Sequence, residues 1–379
     1  MSEWTILQLG IYTVINGILI YKGISMFCRS WLWKILGHPR FKGNPDQICS
    51  QVIKKCWDPK RKYFRTSSGH FSEFWTRDFS WVVQSLIDLG HREKVELTLK
   101  YAMARFRKHG HITTTISSSG KCFDVPAYGV DSVPSLIRSL KIANMTDLIR
   151  KHQHFLNREI MHYYKKCINP KTGLVRNKPF SEIKDHYKRN SSCYANCMAA
   201  MLAMDLKSLN LRNPFHSVNY PELIIKNFWN GSFFFEDITK SRIVSSDAQI
   251  FPFWTGVITD SGIQMDVCET MTAKKLDFPR PMKYTSRNYQ SQKFYLSWFA
   301  PNYEGTTTWA HLGGLYMKTF YESSRPDVIK SIRSWSAIIA RHKTMPEVLN
   351  NNGSLYCSFF YHSDCCMLWA AMFLEMIRK

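Results

Sequence analysis

Phe74-Trp-Thr-Arg-Asp-Phe-Ser-Trp-Val-Val-Gln-Ser-Leu-Ile-Asp-Leu89 joins a polar, aromatic loop to an apolar helix. Val82, Leu86 and Leu89 fall on one face at helical spacing, which predicts a helix over 77–89. At its start, Trp75, Arg77 and Asp78 set an aromatic face beside a charged donor and a charged acceptor. Asp78 could serve only as a cap, because a carboxylate accepts the free N–H groups of a first turn. The same three side chains also suit a sugar, whose ring packs on an indole and whose hydroxyls bond to both charges.

Outward from this stretch one rhythm repeats: an apolar helical segment, then a loop rich in Gly, Pro, Ser or Asn. Helices are predicted over 46–56, 77–89, 93–108, 132–143, 146–164, 193–206, 220–229, 308–323, 325–341 and 367–377. Few stretches alternate well enough to be long strands, so short ones such as 110–115 are read as hairpins in the loops. No fixed sequence period appears, which argues against a solenoid. Antiparallel helix pairs arranged in a ring, an all-α architecture, fit the pattern.

Composition narrows the class. The chain has 379 residues and a net charge of +22, from 51 Lys and Arg against 29 Asp and Glu. Such a balance attracts polyanions, but the basic residues are scattered and no nucleic-acid motif is present. No nucleic-acid partner is expected. The 11 cysteines show no framework spacing, and adjacent Cys365 and Cys366 cannot close an ordinary disulfide loop. A reducing, cytoplasmic setting follows. No CxxC pairs with a second CxxC or with HxxxH, so no structural zinc is expected. Residues 4–21, WTILQLGIYTVINGILIY, carry no charge and are just long enough to span a bilayer. Lys22, Arg29, Lys34, Arg40 and Lys42 follow, which by the positive-inside rule puts the main domain on the cytoplasmic side of any membrane. Residues 1–44 are therefore read as an apolar segment, a possible anchor, plus linker, and 45–379 as the catalytic domain.

Acidic residues gather where helices begin. Besides 74–78, the loops are 123–132 with Asp124 and Asp131, 180–196 with Glu182 and Asp185, 247–254 with Asp247, 302–309 with Glu304 and Trp309, and 345–350 with Glu347, closed by 361–369. Each acid alone reads as a cap or an ion pair. Together, at intervals matching alternate helices, they would converge on one end of a ring. A pocket walled by Trp and Tyr and floored by carboxylates suits glycoside hydrolysis, in which one acid protonates the leaving oxygen and a second activates water. The protonated acid needs burial or a nearby negative charge.

At these motifs the chain resembles the six-hairpin glycosidases: glucoamylases, trehalases, processing α-glucosidases and neutral invertases. Trp75-Thr-Arg-Asp78 resembles their W-x-R-D segment, which implies an (α/α)6 toroid and sugar binding by Arg77 and Asp78. Pro346-Glu347 resembles their late P-E motif, whose Glu is the general base. Glu182-Ile-Lys-Asp185 is similar to an E-S-G-x-D segment whose Asp is the general acid, although it is one residue shorter and lacks the Ser-Gly. Val130-Asp131-Ser132 resembles the V-D-S segment of neutral invertases, so the general acid stays open between Asp185, which we prefer, and Asp131. Tyr303-Glu-Gly-Thr-Thr-Thr-Trp309 resembles a G-x-x-W stretch and puts Glu304 and Trp309 at the pocket. The resemblance implies an inverting mechanism on an α-glucoside-like substrate with no metal or cofactor.

Two other readings compete. Sugar epimerases on this toroid use paired histidines as acid and base, and His311 and His362 lie near the motifs; a phosphorylase is a nearer variant. A non-catalytic, membrane-associated carbohydrate-binding protein is the alternative of a different class.

Overall fold

The computed structural model describes residues 24–25, 28–184, 187–288 and 299–379. Its helices alternate between two layers. After a helical segment α1 (28–36) come α2 (Pro45–Cys56), α3 (Thr76–Asp88), α4 (Arg92–His109), α5 (Ser132–Ile142), the short α6 (Thr146–Lys151) and α7 (Gln153–Cys167). Then follow α8 (Cys193–Lys207), α9 (Tyr220–Phe228), α10 (Ser246–Trp254), α11 (Ser261–Ala273), α12 (Ala310–Phe320), α13 (Arg325–His342) and α14 (Ala370–Arg378). Helices α3, α5, α8, α10, α12 and α14 pack each on the next, and α14 returns to α3 to close a ring. Helices α2, α4, α7, α9, α11 and α13 pack outside them. This is an (α/α)6 toroid, the fold the sequence predicts.

Side-chain distribution explains the two layers. Outer helix α4 buries Val95, Thr98, Leu99, Ala102, Met103 and Phe106, a single stripe at spacings of three and four. Inner helix α8 buries nearly every residue from Cys193 to Leu206, with alanines at 195, 199, 200 and 203 letting neighbours approach on both sides. A helix apolar all round belongs inside. An Asn44–Gln47 capping box starts α2, and Gly110, at φ 96°, ends α4 in the left-handed conformation that glycine adopts cheaply.

Strict alternation makes the inner helices run the same way, so the loops entering them meet at one end of the ring. Short strands brace these loops. β3 (Phe74–Trp75) pairs with β4 (Thr115–Ile116), which pairs with β5 (Cys122–Phe123). β6 (Thr308–Trp309) pairs with β7 (Val348–Leu349), and the Ala310 amide donates to the Glu347 carbonyl at 3.0 Å. A further pair, β1 (Trp57–Asp58) with β2 (Tyr63–Phe64), follows α2.

Four expectations change. The helix expected over 146–164 breaks at His152, whose amide is shared between the Leu148 and Ile149 carbonyls, both at 3.1 Å. Residues 247–254, read as loop, form inner helix α10 despite Pro252, because the ring buries them. The strand expected over 110–115 pairs only at its end, where Thr115 and Ile116 meet β3 and β5. Helix 308–323 starts late, since Thr308 and Trp309 are spent on β6. Residues 4–21, the expected anchor, lie outside the described residues, and among those described no helix is long and apolar enough to cross a membrane.

Candidate active site

Arg77 and Asp78, read from the sequence as part of a sugar clamp, lie side by side at the start of α3. Arg77, in the first turn of α3, donates from Nη1 to the Glu182 carbonyl at 2.6 Å and to Asp131 Oδ2 at 3.3 Å. Its guanidinium lies over the Trp81 ring, 5.6 Å from the centroid. Asp78 lies in the first turn of α3, where its carboxylate interacts with its own backbone amide, and its Oδ1 also accepts from the Trp369 indole at 3.2 Å. Burial pushes the Asp78 carboxyl up to about 6, Arg77 pulls it down and Asp131 pushes it further up. Asp131 stands at the N-cap of α5 but makes no cap bond, and accepts instead from Tyr194 Oη at 2.7 Å. Asp131 is thus not consumed by its helix, and both acids also bond to groups outside their own helices. Trp75 is buried beside Phe71, with ring centroids 5.9 Å apart.

Next round the ring lies a buried ionic network. Glu182 Oε1 accepts from Arg189 Nε at 2.9 Å, and its other oxygen accepts from the Ser192 hydroxyl. Burial raises the Glu182 carboxyl, and Arg189 opposes this. Arg189 also pairs with Asp247 and reaches Glu236 at 3.4 Å. Lys184, fully buried, pairs with Glu236 and donates to Ser245 Oγ at 3.0 Å. Burial would raise Asp247, but Arg189 and Lys184 overcome it and hold the carboxyl at about 2. A narrow cleft lined by Val130, Phe180, Glu182, Tyr187, Arg189 and Ser192 opens on this network. Asp185, the preferred general acid, lies outside the described residues.

Glu347 occupies the opposite wall, just before β7. Its oxygens accept from Tyr303 Oη, from Tyr361 Oη at 2.7 and 2.9 Å, and from the Asp364 amide at 2.7 Å. Tyr361 Oη in turn lies 3.1 Å from His70 Nε2. Burial pushes the Glu347 carboxyl up to about 8, even though its tyrosine and amide donors favour the ionised form. Gly69 makes room for the support behind it: a Cβ there would meet Asp364 Oδ1 at 1.8 Å. Trp309 packs edge-on to Tyr303 and donates from Nε1 to the Tyr303 carbonyl at 2.8 Å. Glu304 is buried near Tyr284, whose phenol is raised by burial and then by the charges of Asp247 and Glu304.

The structure thus brings Arg77, Asp78, Asp131 and Glu182 together, and sets Trp309 against the tyrosine that holds Glu347. It adds Lys184, Arg189, Glu236, Tyr194, Tyr303, Tyr361 and Asp364, which reading motif by motif did not single out. The histidine pair of the epimerase reading does not form: His362 meets His38, 3.4 Å between ring nitrogens, while His311 is enclosed by indoles. Among the described residues no group of three or more His, Cys, Asp or Glu is placed to hold a metal.

No protein-family model matches the chain, and no curated protein matches it in sequence. Solved structures do match in fold. A rhamnosidase from Klebsiella oxytoca with rhamnose bound superimposes with a TM-score of 0.62 at 14% identity, over 88% of this chain and 63% of that one. A glucoamylase from Hormoconis resinae gives 0.58 at 11%, over 88% and 72%. A GH63 mannosylglycerate hydrolase from Thermus thermophilus gives 0.57 at 11%, over 88% and 100%. The chain spans only 34% of another similar structure, a GH78 family rhamnosidase from Bacillus. The fold defined here is therefore an (α/α)6 toroid, which the chain shares with these solved glycoside hydrolases. At these identities the likeness is one of fold.

Proposed function

We propose that this protein is a glycoside hydrolase of the inverting kind, acting on an α-glucoside-like substrate, with Glu347 as general base and Asp185 as general acid. One observation carries the reading. A buried carboxylate, steadied by two tyrosine hydroxyls and a backbone amide, stands at the same end of the ring as an arginine–aspartate clamp backed by indoles. Once ionised, this carboxyl can draw a proton from water while the clamp fixes the sugar. Asp131, engaged by Tyr194 and Arg77, suits substrate binding, which supports Asp185 for the acid. The folds it matches include proteins whose structures hold rhamnose or glucose, which supports a sugar ligand. The division at residue 44 and a cytoplasmic setting belong to the same proposal.

The test is hydrolysis of a panel of α-glucosides, trehalose, sucrose, mannosides and rhamnosides by wild type, Glu347→Gln and Asp185→Asn. One class should turn over, each variant should lose about 10² or more because proton transfer contributes that much, and NMR should show the inverted anomer first. With Glu347 as base, kcat/KM should rise with pH through about 8, the value for its carboxyl in the free protein. A fall through that pH would make Glu347 the acid, and no turnover across the panel would end the hydrolase reading.

A further inference from the structure

His311 opens inner helix α12 and sits where the walls of the site meet. Its ring stacks on Trp81 of α3, centroids 4.9 Å apart and planes 9° from parallel. Trp369 lies 4.9 Å away, Trp309 5.1 Å and Tyr284 5.9 Å. These neighbours come from different sectors of the ring, which puts the imidazole near its axis. It shares Trp81 with Arg77 and Trp369 with Asp78, so it adjoins the clamp. The residue is 3% exposed, and neither ring nitrogen has a hydrogen-bond partner among the described residues. Leaving a buried polar group unpaired is costly, and native proteins keep few such groups without a reason.

We propose that His311 is the floor of the pocket and hydrogen-bonds a hydroxyl of the deepest-seated sugar ring, as a specificity determinant. Burial, then the nearby Arg77 charge, hold its pKa well below the ordinary value against Asp247, so the ring is neutral at working pH. A neutral imidazole carries one N–H donor and one bare acceptor nitrogen. A sugar hydroxyl both donates and accepts, and matches either nitrogen; a carboxylate would match only the donor. Indoles on its flanks then cover the apolar face of the same ring. This role rests on the hydrolase reading only in that the ligand is a sugar; His311 performs no proton transfer.

Two measurements test it. In the first, long-range ¹H–¹⁵N spectra of the wild-type histidines, with His311 assigned by the His311→Phe variant, are followed as glucose, mannose and rhamnose are added. One sugar should move both His311 nitrogens. In the second, kcat/KM is compared for the hydrolysed glycoside and its monodeoxy analogues. Wild type should disfavour one analogue by about tenfold or more, His311→Phe should abolish that discrimination, and His311→Gln, which retains a donor and an acceptor, should keep part of it. Hydrolysis with discrimination unchanged in His311→Phe overturns the proposal and leaves the hydrolase reading standing. Absence of hydrolysis with a sugar still moving the His311 signals does the reverse. If no sugar moves them, the proposal fails.

Discussion

Glu347 is where function and stability conflict within one side chain. A carboxyl near 8 in the folded protein and near 4.5 in the unfolded chain stays protonated when folded after the unfolded chain has released its proton. The unfolded state then binds fewer protons, so this group lowers stability as pH rises from about 4.5 to about 8. The slope is about 1.4 kcal/mol per pH unit in that window. Glu347→Gln removes the effect. Urea unfolding should show the variant gaining on wild type by a few kcal/mol between pH 5 and pH 8, while hydrolysis falls. A difference in stability that is flat with pH would show that the buried carboxyl does not titrate as argued. Asp247 has the opposite sign: held at about 2 by Arg189 and Lys184, it adds stability that is lost only as pH falls from about 4 toward 2. The Pro346-Glu347 motif pointed to the acid itself. Its holders did not announce themselves, because Tyr303 and Tyr361 lie 44 and 14 residues away in the chain and reach it only through β6–β7 pairing and the closing loop.

Legibility changes from one layer of helices to the other. Outer helices such as α4 and α13 face water on one side, so their apolar residues fall at helical spacing and were readable. Inner helix α10 is buried all round and contains Pro252, so periodicity carried no signal there. Helix α11 buries only Val267 and Met271 on its apolar side, too thin a stripe to read. The two layers also lock through small residues. In α12, a Cβ on Gly313 would stand 2.5 Å from the Trp335 indole nitrogen of α13, and one on Gly314 2.8 Å from Met372 of α14. Trp335 cannot easily retreat, since its Nε1 donates to the Pro281 carbonyl at 2.6 Å. Gly313→Ala should therefore destabilise by about 1–3 kcal/mol through overpacking, although alanine is the better helix former by about 1 kcal/mol. A thermal melt decides; a raised Tm would mean that the indole moves aside without cost.

At the scale of the whole molecule, the ring must close on itself, and α14 closes it. It packs on α2 and α3, which precede it by most of the chain, and buries Ala370, Ala371, Met372, Phe373, Leu374 and Met376. Burying the four larger side chains is worth about 1.5–3 kcal/mol each, together comparable with the 5–15 kcal/mol that holds a typical domain folded. The contact is also the one that lets loops on either side of the seam share a site: Trp369, at the N-cap of α14, bonds Asp78 of α3 across it. The Arg378–Asp46 bridge spans the same seam at 2.6 Å, but both side chains are partly in water, so screening leaves such a pair at about 0–1 kcal/mol. Two variants separate these contributions. Arg378→Ala should leave the thermal transition within a degree or two of wild type. Deleting residues 370–379 should abolish the cooperative near-ultraviolet transition, because α3 and α12 lose the inner helix that joins them and α2 and α13 lose the surface they cover. A truncated chain that still melted sharply would mean that the toroid holds as an open arc, and that the seam serves the site and not the fold.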